Sequence, residues 1–135
     1  MAAGTAAGKG DAMTWTNEKR LTELAHPLAV EHLVYEVRAD AYERWKAAEH
    51  EYWTLGEADR FPFYAGKETW LCQGDPFHKV TIIIYWDSVE AWHGIDAAWL
   101  AEQERRFAEV VGADRYRLVH EGHTVDQYYK VSEYR

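Results

Sequence analysis

An apolar strand that passes directly into a helix is the feature that most constrains this chain. Residues 79–86 are predicted to form a strand ending at Trp86, and a helix is predicted to follow at once, with Asp87 as its N-cap and Glu90 three residues later. A short acceptor followed at that spacing by a glutamate is a capping box, which satisfies the first free N–H groups of a helix. The sequence therefore predicts a strand–helix unit without an intervening loop.

The same strand is apolar on both faces. Its alternating residues form two sets, Val80, Ile82, Ile84 and Trp86 on one face and Thr81, Ile83 and Tyr85 on the other. Both faces of such a strand must be covered. Two helices can cover only one face of a four-stranded sheet, so the other face is expected to pack on a second copy of the chain. The pattern predicts a homodimer.

The remaining segments predict the order β-α-β-β-α-β, an α+β, ferredoxin-like arrangement. Strands are predicted at 30–37, 66–72, 79–86 and 116–124, and helices at about 40–56 and 88–111. Asp40 and Glu43 predict a capping box for the first helix, and Gly94 could interrupt the second. Before this single domain, residues 29–135, the leucine spacing predicts an extra helix over 14–28, and residues 1–13 read as a flexible leader.

Composition limits the classes of partner. With 135 residues, 47% of them apolar, the chain can build one domain with a real core. Its formal charge of −8 argues against nucleic acid and anionic membranes, which need clustered lysine and arginine. Cys72 is the single cysteine, which excludes an intrachain disulfide and a cysteine-rich zinc site. Without an apolar run of roughly 20 residues or a signal peptide, a cytoplasmic protein is expected.

Several segments resemble a known group of proteins. The strand that runs into Ser88-Val89-Glu90-Ala91-Trp92 is similar to the antibiotic-biosynthesis monooxygenase-like group, whose small members form dimeric α+β barrels. Within that group, an uncharacterised cyanobacterial-type family resembles residues 30–131, on the segments EYWT at 51–54, GKETWL at 66–71, IYWDS at 84–88 and RFAE at 106–109. The resemblance implies the fold, a dimer and a pocket, but no particular reaction. Tyr85, in place of a basic residue, and His50 depart from that family.

His50 and Glu49 are the candidate acid–base residues of the first helix. Flanking acids could raise the basicity of His50 and make it a general base or a haem ligand, although a solvated helix histidine is the alternative. Glu49 shares its helix face with aromatic residues, so its carboxylate must be paired, exposed at a pocket or shifted in pKa. If it lies at the edge of that face, it simply reaches water. The aromatic members of the face are Tyr42, Trp45 and Tyr52, with Trp53 alongside.

Seven tryptophans and nine tyrosines suit a pocket for a planar ligand as well as a packed core. Trp70 could donate a hydrogen bond to an oxyanion. Tyr85 could do the same and is the third candidate catalytic residue. His32, on one strand face with Val30 and Val34, could project between sheet and helices, or be a satisfied core histidine. The candidate substrate-binding residues are Trp53, Trp70, Trp86, Trp92, Trp99, His93, His32 and Gln103.

No metal site is predicted. His120 and His123 have the spacing of a metal pair, but residues three apart on a strand point to opposite faces. No nucleophile elbow and no dinucleotide fingerprint is present, so hydrolase and Rossmann functions are not expected.

Three functions remain open. The first is an enzyme of specialised metabolism that acts on a small aromatic or polycyclic substrate by acid–base chemistry, similar to the cofactor-independent monooxygenases and cyclases of this fold. The second is a haem protein, as the resemblance to haem-degrading members implies. Glu102 and Gln103 stand where those members have a ligand histidine, so haem would require His50 or His93, and no cofactor is the first expectation. The third is a non-catalytic binding dimer.

Overall fold

The computed structural model describes residues 20–135, which contain one five-stranded antiparallel sheet. The strands are β1 (Leu21–Arg38), β2 (Tyr64–Cys72), β3 (Phe77–Trp86), β4 (Tyr116–Glu121) and β5 (Tyr129–Tyr134). The helices are α1 (Tyr42–Ala48), α2 (Leu55–Arg60), α3 (Val89–His93) and α4 (Ala97–Val111). A π-helical segment, Glu49–Thr54, joins α1 to α2.

The sheet order is β2-β3-β1-β4, and β5 pairs with the beginning of β1. With β1 and β3 in the centre and helices after β1 and β3, this is the ferredoxin-like arrangement, as predicted. The core lies between one sheet face and the helices, where Val80, Ile82, Ile84 and Trp86 of β3 are buried with Trp45 of α1 and Phe107 of α4.

The helix predicted over residues 14–28 is wrong where the structure describes it, because β1 already begins at Leu21. Residues 21–23 pair with 132–134 of β5, and the register shifts between Glu23 and Leu28. Pro27, which cannot donate to a strand ladder, lies within that irregular stretch. The leucines that suggested a helix therefore lie in a strand, and the backbone partners of residues 21–23 come from β5. The predicted leader, residues 1–13, and residues 14–19 lie outside the described residues.

The first helical region is longer than predicted and begins differently. A short 3-10 turn at Ala39–Ala41 leads into α1, and no side chain caps either element. Asp40 instead accepts a hydrogen bond from Arg38 Nε at 3.1 Å, so the predicted capping box with Glu43 does not form. The helical region then continues through the π-helical segment to Arg60, four residues beyond the predicted end.

The second helical region is divided, as Gly94 suggested, into α3 and α4. The N-cap of α3 is Ser88, whose Oγ accepts from the Ala91 N–H at 3.1 Å, so the predicted cap at Asp87 is wrong by one residue. Asp96 caps α4 in the same way, accepting from the Trp99 N–H at 2.9 Å. Gly112 ends α4 with a φ of 101°, a conformation that favours glycine.

None of the helices described within residues 20–135 lies on the opposite sheet face. Thr81, Ile83 and Tyr85 of β3 are half-buried there, and Trp70 of β2 is 58% exposed. The strand predicted over 116–124 ends at Glu121, and a 3-10 turn leads on towards β5. Every helix in the described part of the chain is too short or too polar to span a lipid bilayer.

Candidate functional site

A cavity of about 370 Å³ lies between the sheet and the helices. That volume is within the range of roughly 300–1,000 Å³ that small-molecule pockets occupy. Aromatic side chains form much of its wall, among them Tyr35, Trp45, Trp53, Trp92 and Phe107. Five glutamates also line it, namely Glu31, Glu49, Glu57, Glu104 and Glu121. The cavity is therefore both aromatic and acidic.

Two backbone periodicities bring these side chains together. Along β1, Glu31, Leu33 and Tyr35 alternate onto the face that lines the cavity, because successive strand residues point to opposite faces. Along the first helical region the lining residues recur every four positions, at Trp45, Glu49, Trp53 and Glu57. A regular α-helix, with 3.6 residues per turn, would rotate such a series steadily away, whereas the wider π-helical turn keeps it in line.

Glu31 is an acid–base candidate that the sequence interpretation missed. Burial raises the pKa of its carboxyl to about 7, opposed by the hydrogen bond from Trp86 and reinforced by the charge of Glu121. Trp86 Nε1 donates to Glu31 Oε1 at 3.0 Å. A carboxyl that titrates near neutral pH inside a pocket has the property that a general base requires.

Glu49 is buried, as a member of the aromatic helix face, and it is paired. Lys67, which reaches over from β2, donates from Nζ to Glu49 Oε1, and Thr54 Oγ1 donates to the same oxygen at 3.1 Å. Lys67 also donates to Thr54 Oγ1 at 2.6 Å. Hydrogen bonds between an ammonium group and a carboxylate are shorter and stronger than those between neutral groups. Glu49 therefore contributes a fixed, neutralised pair to the cavity wall.

Glu57 is the least satisfied carboxyl of the cavity. It is 6% exposed and lies at the start of α2, where the sequence predicted that the helix had already ended. Burial raises its pKa to about 9, with further contributions from the charges of Glu31 and Glu49 and an opposing one from Lys67. None of the hydrogen bonds found among residues 20–135 reaches this carboxyl.

Two tryptophans that line the cavity carry unsatisfied hydrogen-bond donors. The indole Nε1 atoms of Trp45 and Trp53 are buried, and neither has a hydrogen-bond partner within the described residues. Both tryptophans line the cavity. A buried N–H without a partner is costly, so a ligand oxygen that accepts from it is favoured.

The two remaining glutamates have partners. Glu104 accepts a hydrogen bond of 2.5 Å from the Tyr116 hydroxyl. Glu121 Oε2 lies 3.7 Å from His123 Nε2, and burial lowers the pKa of this histidine. The ring of His123 packs edge-on against Trp92, with centroids 5.1 Å apart.

Of the eleven predicted site residues, Glu49, Trp53 and Trp92 line the cavity. Trp86 is fully buried and does not line it; it stacks on Trp92 with ring centroids 6.0 Å apart and binds Glu31, so its role is to position both. His50 and His93 are exposed and lie outside the cavity wall.

Tyr85, Trp70 and His32 lie on the opposite sheet face, so none of them can act in the cavity. The Tyr85 hydroxyl donates to Glu68 Oε2 at 2.7 Å, and burial raises its pKa to about 12. His32 packs edge-on against His120, with centroids 5.5 Å apart. His32 shares its strand face with Val30 and Val34, as expected, but this face points away from the helices, because the neighbouring residues Glu31 and Leu33 line the cavity.

Trp99 and Gln103 line a separate shallow groove on the outer side of the helices. Trp99 packs edge-on against Phe61, with centroids 5.1 Å apart. Gln103 is buried, and its Nε2 donates to the Tyr52 carbonyl at 2.6 Å. This bond satisfies a carbonyl of the π-helical segment and links α4 to that segment. Neither residue lines the cavity, and both have a structural role in packing the helices.

The side chains of the cavity do not fit haem. Its lining, as described, contains no histidine, cysteine or methionine, which are the usual axial ligands. Of the lining side chains, the phenol of Tyr35 most resembles a haem ligand. Burial and the charges of Glu104, Glu31 and Glu49 raise its pKa, which disfavours the phenolate that would bind iron. Within residues 20–135, no three His, Cys, Asp or Glu side chains are grouped to hold a metal ion.

Comparisons with known proteins give a structural similarity. No family model matches the sequence, and no curated protein matches it. Among solved structures, the chain is similar to the crystal structure of a "putative antibiotic biosynthesis monooxygenase" from Bordetella bronchiseptica. The identity is 14% and the TM-score 0.48, over 81% of this chain and 97% of that one. The fold assignment rests on the strand order of the chain itself.

Proposed function

We propose that this chain is a small-molecule enzyme of specialised metabolism that binds an aromatic or polycyclic substrate in the cavity and removes a proton from it. The single observation that supports the proposal is the position of Glu31, a buried carboxyl with a pKa of about 7 on the wall of an aromatic cavity. Monooxygenase-like and cyclase-like chemistry both begin by converting a phenol or an activated carbon acid to its anion, which is the step assigned here.

Glu31 is the proposed general base in place of His50, Glu49 and Tyr85. It lines the cavity, whereas His50 is exposed and Tyr85 lies on the other sheet face. The Glu49 carboxylate is already occupied by its ion pair with Lys67. Proton transfer by a positioned base with a pKa near the working pH is typically worth about 10²–10⁴-fold in rate.

Trp45 and Trp53 are the proposed oxyanion donors in place of Trp70 and Tyr85. Their buried N–H groups have no partner among residues 20–135, so a phenolate or enolate oxygen would satisfy them as it forms. Donors already fixed in a low-dielectric wall need no reorganisation when the charge develops. The aromatic walls supply the flat apolar surface on which a planar substrate stacks.

The proposal is tested with anthrone, a planar tricycle whose central CH₂ group is acidified by the ketone. Binding is measured first, by quenching of tryptophan fluorescence. Exchange of the CH₂ hydrogens for deuterium is then followed by NMR in deuterated buffer without oxygen, which isolates proton removal. Oxygen uptake in air reports whether the anion is oxidised to anthraquinone, with one O₂ consumed and one water released for each anthrone.

Glu31→Gln is expected to slow enzyme-dependent exchange at least about 100-fold while anthrone still binds. Glu36→Gln is the matched control, because Glu36 lies on the same strand but on the opposite face, where it pairs with Arg117. Equal exchange rates for the wild type and Glu31→Gln would refute the assignment of the base. Binding without any exchange would instead identify a non-catalytic binding protein.

We also propose a homodimer formed through the sheet face opposite the cavity, on which no helix of the described chain lies. Ile83 and Tyr85 are half-buried there and Trp70 is largely exposed, which leaves apolar surface of the kind that two sheets bury face to face. A symmetric dimer would cover the same patch on both copies. Analytical ultracentrifugation tests this: a dimer is expected for the wild type and a monomer for Ile83→Lys, and a monomeric wild type would refute it.

A further inference from the structure

The five cavity glutamates outnumber the lysine and arginine side chains of the described residues that pair with them. Among residues 20–135 a lysine or arginine forms an ion pair with one of the five, between Lys67 and Glu49. Glu31 and Glu104 have neutral hydrogen-bond donors, the Trp86 indole and the Tyr116 hydroxyl. Glu121 faces His123, whose pKa burial lowers, which disfavours the charged ring. The cavity as a whole is therefore short of positive charge.

Glu57 adds an observation independent of that count. The residue is 6% exposed and lies on the cavity wall, and its carboxyl receives no hydrogen bond from the described residues. Buried carboxyls are ordinarily paired or hydrogen-bonded, because leaving one unsatisfied costs free energy. The proposed reaction does not use this group. An unsatisfied buried acid that faces a cavity is explained if the ligand brings its partner.

The neighbouring walls favour a cationic partner. Trp53 lies one turn before Glu57 on the same helical face, and Trp92 and Tyr35 line the same cavity. The faces of such rings attract an ammonium group, by about 0.5–2 kcal/mol depending on how far it is desolvated. An ammonium group placed here would therefore meet both a carboxylate and aromatic faces.

We propose that the substrate of this cavity is an aromatic molecule with a basic, alkylamine-type nitrogen, whose ammonium group pairs with Glu57. This inference deepens the proposed function and rests on it, since it assigns the substrate class of the same cavity. The aromatic part of the substrate occupies the space between Glu57 and Glu31, with its acidic proton towards Glu31 and its amine towards Glu57.

Such binding is coupled to proton release. Glu57 is protonated in the empty cavity at neutral pH, because burial raises its pKa to about 9. An ammonium group stabilises the carboxylate and displaces that proton. The affinity for the amine is therefore expected to increase as the pH rises from 6 to 8. It should increase until the ligand nitrogen itself loses its charge.

The test uses three ligands that share one ring and differ in charge. Tryptamine is the cation, indole-3-propionamide the neutral analogue and indole-3-propionate the anion. Isothermal titration calorimetry of the full chain at pH 7.5 is expected to give affinities in the order cation, neutral, anion, with at least a tenfold step from cation to neutral. Repeating the tryptamine titration in phosphate and in Tris buffer is expected to give different heats, because the buffer takes up the released proton.

Glu57→Gln keeps the size of the side chain and removes its charge, and it is expected to abolish the preference for tryptamine and the buffer-dependent heat. Glu36→Gln is the control and should preserve both. Equal affinity for the cation and the neutral analogue, no binding of tryptamine at millimolar concentration, or an unchanged preference in Glu57→Gln would each overturn the inference.

The two proposals fail separately. If Glu31 proves necessary for anthrone exchange but tryptamine is not preferred, the proton-removing function stands and the amine class is wrong. If tryptamine is preferred through Glu57 but no exchange depends on Glu31, the cavity is an amine-binding site and the enzymatic proposal is wrong.

Discussion

The indole N–H of Trp86 is bonded to Glu31 at 3.0 Å, so the most buried tryptophan of the core holds a carboxyl of the cavity wall. That bond favours the charged carboxylate and opposes the effect of burial, which raises the pKa of Glu31 to about 7. Trp86 also stacks on Trp92 in nearly parallel planes, 5° apart. One core residue thus sets both the ionisation of the base and the position of an aromatic wall.

The first prediction concerns the pH dependence of proton removal. The active form of Glu31 is the carboxylate, so the exchange rate in the wild type should rise with pH about a midpoint near 7. In Trp86→Phe the pKa of Glu31 loses a lowering contribution, and the midpoint is expected to move to higher pH. Trp92→Phe is the control, because it removes a stacked indole without removing a donor to Glu31. Coincident midpoints in the wild type and Trp86→Phe would contradict the role of the bond.

The second prediction concerns stability against pH. The folded-state pKa of Glu57 is raised from 4.5 to about 9, so the folded chain binds more protons than the unfolded chain between these values. The contribution of Glu57 is thus least unfavourable below about pH 4.5, and it lowers stability progressively as the pH rises towards 9. Glu57→Gln should remove this decline and raise the free energy of unfolding at pH 8 by roughly 2–4 kcal/mol. Urea denaturation at pH 6 and pH 8 measures the difference, and a wild-type slope retained in the variant would rule it out.

The third prediction concerns the buried ion pair of Lys67 and Glu49. Lys67→Met leaves the Glu49 carboxylate buried without its partner, which typically costs about 3–5 kcal/mol. The double variant Lys67→Met with Glu49→Leu should recover most of that loss, since replacing a whole buried pair by apolar residues is often neutral. Denaturant unfolding of the three proteins provides the comparison. If the double variant is as unstable as the single one, the loss does not come from an orphaned charge.

The fourth prediction separates two neighbouring residues at the start of α3. Ser88→Ala should lower the free energy of unfolding by about 1 kcal/mol, because the Ser88 hydroxyl accepts the Ala91 N–H. Asp87→Ala should have a smaller effect, because both bonds found for Asp87 use its backbone: its carbonyl meets His26 at 2.8 Å, and its N–H donates to the Phe63 carbonyl at 2.9 Å. Thermal unfolding of both variants tests this prediction. A larger loss of stability in Asp87→Ala than in Ser88→Ala would show that Asp87 is the N-cap.

Local signals in the sequence were sufficient for the central strands and the divided second helix. β3 is apolar over a whole strand length and is followed by helix-starting residues, and Gly94 separates two segments that each have their own N-cap. The N-terminal strand could not be predicted in this way. Leu21, Leu24 and Leu28 have a helical spacing, and only the distant β5 supplies the backbone hydrogen bonds that make residues 21–23 a strand.

The candidate site was predicted less well, because the inward-facing residues of β1 and of the first helical region were not all identified correctly. Valines at 30 and 34 suggested that the even-numbered face of β1 is the inner one, yet Glu31, Leu33 and Tyr35 face the cavity. Isolated valines and a glutamate do not indicate which face has helices on it. Glu57 was missed because a 3.6-residue period does not relate it to Trp45 and Glu49. The four-residue spacing of the lining residues, continued past Gly56, is the signal that could have found it.

The π-helical segment between α1 and α2 makes the composition of the cavity depend on chain length as well as on side-chain identity. If Glu49–Thr54 formed a regular α-helix at the same chain length, everything after it would turn by about 100° relative to α1. Glu57 would then leave the cavity while every side chain that lines it from the sheet stayed in place. A related chain with the same strands and one residue fewer in this segment could form the regular α-helix with Glu57 still in line with Trp45 and Glu49, and it is therefore expected to retain both the fold and the acidic cavity wall.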